Sequence, residues 1–159
     1  MNLDTEEDSF PMFMPSDASM DFYPENKQSN FKIQLLTPIQ LKRRMECSLL
    51  EIIIPNKVIP NKAIDKFYDK YHHLFLYCNF VQDSYINENK KPLLRLITYK
   101  FNKNEKCSTL VFKTPIYIPL NREYLDILHF YLLDINDQFI KFETGRLHLT
   151  LMLRPIEHY

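Results

Sequence analysis

The chain has 159 residues, a length that fits one domain burying roughly two thirds of its unfolded surface in a single core. At 45% apolar and 25% charged it lies in the ordinary soluble range, so composition favours neither a disordered nor a membrane class. Lys plus Arg and Asp plus Glu number 20 each, which removes any whole-protein field toward nucleic acid or anionic membrane.

The chain opens on an acidic stretch: residues 1 to 30 hold seven acidic side chains against Lys27 alone, leaving a weakly basic body. Residues 1–9 are mostly polar and acidic and are expected to form a flexible acidic arm, because such a segment buries too little surface to offset the entropy of ordering it. From Phe10 onward, short apolar segments alternate with turn residues. They are Phe10 to Met14, Phe31 to Leu36, Met45 to Ile54, Leu74 to Phe80, Leu93 to Phe101, Thr109 to Phe112, Ile116 to Leu120, Ile127 to Leu133, Phe139 to Phe142 and Leu147 to Leu153.

Several show the period of two of a half-buried strand, most clearly Phe31, Ile33 and Leu35, and again Leu147, Leu149, Leu151 and Leu153. The 12 Phe and 10 Tyr, with many Ile and no Trp, suit a pleated surface better than a helix bundle. With 10 Pro and one Gly, the turns fall to Pro, Asn and Asp, as at Pro24-Glu25-Asn26, Pro55-Asn56, Asn87-Glu88-Asn89 and Asn136-Asp137. About ten short strands punctuated in this way read as an all-β sandwich or barrel. Asn61 to His73 is the one helical candidate, with Ile64, Phe67, Tyr68 and Tyr71 at helical spacing and Asn61 as a cap; an ordered loop fits equally well.

No residue set points firmly to chemistry. His72-His73 followed by Cys78 mimics metal ligands, but adjacent histidines on a strand face opposite ways and no second pair lies at finger spacing. Cys47, Cys78 or Cys107 could pair in space with His129 or His148, yet Cys47 and Cys78 sit in apolar runs where a thiol acts as a small buried hydrophobe. Asp134, Asn136 and Asp137 lack calcium-loop spacing and read as a hairpin turn. No catalytic, cofactor-binding or metal-ligating residue is therefore assigned, and a non-enzymatic protein is expected. Three widely spaced cysteines make a poor disulfide framework and suit a reducing compartment. No stretch of 18 apolar residues and no leader-like segment occurs, so membrane insertion is not expected and synthesis in the cytosol is.

The order of short motifs carries more. Met14-Pro15-Ser16-Asp17, Tyr23-Pro24-Glu25-Asn26, Ser29-Asn30-Phe31, Pro38-Ile39-Gln40-Leu41 and Glu51-Ile52 follow one another in the first half. Pro92-Leu93-Leu94-Arg95, Tyr117-Ile118-Pro119-Leu120, Leu132-Leu133-Asp134, Ile140-Lys141-Phe142 with Gly145, and Leu151-Met152-Leu153-Arg154 follow in the second. This succession resembles the penton-type minor capsid proteins of Polinton/Maverick and adintovirus-like DNA viruses. Lys42 to Leu49 keeps Glu46 and Leu49 of a run in those proteins that otherwise contains glycine and tryptophan.

The resemblance implies a single jelly-roll β-sandwich of about eight antiparallel strands over residues 10–159. It implies a homopentamer at the fivefold vertices of an icosahedral capsid, beside a double jelly-roll major capsid protein, and so a place in the virion. Under that reading Lys42-Arg43-Arg44, Lys90-Lys91 and Arg95 would make a weak contact with packaged DNA, and Asp4 to Asp8 would contact a neighbouring subunit. The bland alternatives are a solvated basic turn that discourages edge pairing and a solvent-facing charge run. The other reading of the whole chain is a monomeric β-sandwich binding module, cellular or virus-derived, that builds no particle.

Overall fold

The computed structural model describes residues 8–59 and 64–157, and the expected arm lies outside them except for Asp8 and Ser9. Every apolar segment but one carries a strand. The first is β1 (Phe10–Pro15), followed by β2 (Asn30–Gln40) and β3 (Met45–Pro55). A short helix, α1 (Ile64–Tyr68), precedes β4 (His72–Cys78), and β5 (Ser84–Ile86) and β6 (Asn89–Lys91) make a small hairpin. Then come β7 (Leu93–Tyr99), β8 (Cys107–Val111), β9 (Ile118–Pro119), β10 (Tyr124–Leu133) and β11 (His148–Pro155).

Two antiparallel sheets result. One runs β1-β11-β3-β8, with β9 paired to β3 beside β8; the other runs β2-β10-β4-β7. The connections from β1 to β2, β2 to β3, β3 to β4, β7 to β8, β9 to β10 and β10 to β11 each cross between the sheets, which is the winding of an eight-stranded jelly roll. The alternation sets which face meets the core. Leu147, Leu149, Leu151 and Leu153 of the last segment are fully buried, as are Leu128, Phe130 and Leu132 on β10. Phe130 stacks on Phe31 with ring centroids 5.4 Å apart and meets Phe80 edge-on at 5.8 Å, tying β2, β10 and the residues after β4 together. Burying each such side chain stabilises the fold by about 1.5–3 kcal/mol.

Phe139 to Phe142 forms no strand. It makes only isolated bridges, Phe139 to Leu133 past the end of β2 and Phe142 to Val58. The helical candidate shrinks to α1, since His72 and His73 already belong to β4; Asn61 lies outside the described residues. The β5–β6 hairpin was not foreseen. It turns on Asn87, whose φ of 55° lies in the left-handed region that Asn tolerates.

Candidate functional site

With a single glycine available, the connections are built by asparagine and aspartate side chains that take the place of strand partners. Asn26 clamps the edge of β2, donating from Nδ2 to the Lys32 carbonyl at 2.9 Å and accepting from the Lys32 N–H at 3.0 Å. Asn79 extends β4 past its end, accepting from the His129 N–H at 2.9 Å and donating to the Ile127 carbonyl at 3.1 Å. Asp134 accepts from the N–H groups of Asn136 and Gln138 at 2.8 and 3.0 Å, which identifies the DINDQ segment as a turn. Its Asp137 reaches the Lys91 ammonium at 2.9 Å and so fastens the β5–β6 hairpin.

Asn56 is the most connected of these and is almost completely buried. Its Oδ1 accepts from the Tyr99 hydroxyl and from the Asn102 N–H, and its Nδ2 donates to Ser108 Oγ at 2.9 Å. Its backbone N–H donates to the Lys106 carbonyl and its carbonyl accepts from the Tyr68 hydroxyl, each at 2.9 Å. One side chain thus fixes the ends of β3, β7 and β8 together. Nearby, Gly145 has φ of 90°, and a Cβ there would lie 3.2 Å from Pro55. Gln28 donates to its carbonyl at 2.8 Å, joining the first connection to the last.

Three of the separate sequence motifs meet at the opposite end. Arg154 of β11 pairs through Nε with Glu46 of β3 at 2.6 Å, and its guanidinium lies 3.4 Å over the Tyr117 ring. The two partners were legible as motif members; their meeting was not, because they lie 108 residues apart.

The residues weighed for chemistry do not converge. The His72 imidazole donates from Nε2 to the Phe67 carbonyl at 2.7 Å and lies 4.2 Å from the Phe67 ring, whereas His73 sits 3.2 Å from Thr98 Oγ1. No group of three or more His, Cys, Asp or Glu among the described residues could hold a metal ion. Cys47 and Cys78 are wholly buried; burial pushes the Cys47 thiol up and the Cys78 thiol up to about 12, so both stay protonated and unreactive. His129 and His148 alternate with buried leucines and phenylalanine and face away from those thiols. His129 donates to Asn30 Oδ1 at 2.7 Å; burial, with the nearby Lys32 ammonium, lowers its pKa. His148 meets Phe13 edge-on.

The basic residues are dispersed too. Lys42, Arg43 and Arg44 are exposed between β2 and β3. Lys90 lies over the Tyr85 ring, and Arg95 is held inward, 4.1 Å over Phe112 and donating to the Thr114 carbonyl at 3.1 Å. What the surface does offer is shape: two sheets with open edges and no enclosed, chemically armed cleft among the described residues.

Comparison with known proteins follows from that shape. The mavirus penton protein, solved by crystallography, superposes on 93% of this chain and 100% of its own, with a TM-score of 0.58 and 6% sequence identity. The two chains share the jelly-roll fold. The match falls on the type of protein that the ordered motifs resemble. No protein-family model and no curated protein matches the sequence. At 6% identity the likeness resides in winding and core placement, and the residues on the surface are this chain's own.

Proposed function

We propose that this chain is a non-enzymatic minor capsid protein, a penton that forms pentamers at the fivefold vertices of an icosahedral particle. The supporting observation is that a complete eight-stranded jelly roll, matching the mavirus penton protein along its whole length, is built by a sequence whose motifs follow the penton order. In this reading residues 10–159 act as one assembly module, the virion is its destination, and a double jelly-roll major capsid protein surrounds it. Its work is done by surface fit, so no residue carries catalysis. No described helix is long and apolar enough to cross a membrane.

Native mass by light scattering over a concentration series tests the reading. A stable mass of five times 19.2 kDa is the expected result. A strict monomer at every concentration, indifferent to added major capsid protein, would instead favour the monomeric binding module.

A further inference from the structure

The two sheets leave open edges on opposite flanks. β1 and β2 end the sheets on one side, joined by residues 16–29, and β8 and β7 end them on the other, joined by residues 100–106. Each flank exposes large apolar side chains. On the first, the register of β2 against β10 skips from Gln34 to Ile39, so residues 35–38 bulge outward and leave Leu36 83% exposed. Met20 and Phe22 are exposed on the adjoining connection, which is held to β2 by Ser19 and Tyr23 through Gln34. The second flank exposes Leu96 of β7, Val111 of β8 (68%) and Ile116 just beyond it. Single exposed apolar residues are ordinary; these lie on or beside the edge strands that the sandwich leaves unpaired.

The flanks also differ in charge. Residues 8–40, which supply β1, its connection to β2 and β2 itself, carry Asp8, Asp17, Asp21 and Glu25 against Lys27 and Lys32. Residues 93–117, which supply β7, β8 and the segment after it, carry five basic side chains against Glu105. Asp21, Glu25, Lys103 and Lys106 are all exposed. A two-fold contact would set each flank against itself, acid on acid or base on base. A head-to-tail contact sets unlike charges together and leaves the same pair of flanks free at each end, which is the arrangement that closes into a ring.

We propose that copies of this chain join head to tail, the β1/β2 flank of one against the β7/β8 flank of the next, through exposed apolar side chains framed by opposite charge. The proposal rests on the ring-forming reading above and names its interface. The partner is a second copy of the chain, with Leu36 of the β2 bulge seated toward Leu96, Val111 and Ile116 of its neighbour.

Charge reversal tests it. One variant carries Asp21→Lys and Glu25→Lys, a second carries Lys103→Glu and Lys106→Glu, and a third carries all four. Every altered side chain is exposed, and circular dichroism checks that each variant folds. Light scattering at low and moderate salt is expected to show association weakened at least about tenfold in the first two variants, with native mass restored in the third, where unlike charges meet again. Leu36→Asp is expected to dissociate the ring without altering the charged side chains on either flank. A pentamer unaffected by the one-sided reversals and by Leu36→Asp would overturn the proposed interface while leaving the penton reading in place. Loss of duplex DNA binding in the second variant with its ring intact would assign the basic flank to nucleic acid and overturn the proposal equally. A native chain that stays monomeric throughout defeats the ring reading itself, and this interface with it.

Discussion

Asn56 shows how much of the architecture rests on single polar side chains. It is buried with every hydrogen-bonding group of its amide engaged, and its partners come from the start of β8, the end of β7 and the residues that follow it. Replacing it with alanine strands a buried tyrosine hydroxyl, a serine hydroxyl and a backbone N–H at once. Asn56→Ala is therefore expected to lower unfolding free energy by about 2–4 kcal/mol in urea titration, since each orphaned buried group costs about 1–3 kcal/mol and partial relaxation recovers some of it. A surface asparagine such as Asn104 changed in the same way should cost far less. Composition made part of this legible, because a chain with one glycine must turn with Asn, Asp and Pro. Which asparagine becomes a hub depends on burial and distant partners, which a linear sequence does not display.

Among the elements, alternation located the strands of both sheets because inward and outward positions differ so sharply in polarity. Leu147, Leu149, Leu151 and Leu153 are all fully buried, with His148, Thr150 and Met152 between them. Where the pattern failed, pairing was the cause. Ile140 and Phe142 are buried beside exposed Phe139 and Lys141 in the manner of a strand, but the segment pairs only through isolated bridges. Ser84 to Ile86 and Asn89 to Lys91 pair although they hold few apolar residues, because Asn87 makes the turn and the Lys91 to Asp137 contact anchors the hairpin. The β10–β11 connection offers a sharp test. Gly145→Ala puts a Cβ against Pro55 in a left-handed backbone and is expected to cost about 1–3 kcal/mol, read as a lower urea midpoint.

The molecule as a whole holds its three thiols in two settings. Cys107 is exposed at the start of β8, whereas Cys47 and Cys78 lie in the core on β3 and β4, one from each sheet. One thiol per native chain is expected to react promptly with a disulfide-exchange reagent. The other two should react only as fast as the sandwich opens, with the same denaturant dependence as global unfolding. A rapid reaction of all three under native conditions would contradict the closed core described above.

The winding has one more result, which concerns timing. β11 lies between β1 and β3, and β10 lies between β2 and β4, so an inner strand of each sheet comes from beyond residue 123, long after β1 and β2. While the ribosome is still adding residues before 124, β1 and β2 have no neighbours to bond, and the core stays open along them. Closure waits until residue 155 has cleared the exit tunnel, and it then requires β1 to find a strand more than a hundred residues away. Until that moment the β1/β2 flank is unformed, whereas β8 can already pair with β3 and β7 with β4.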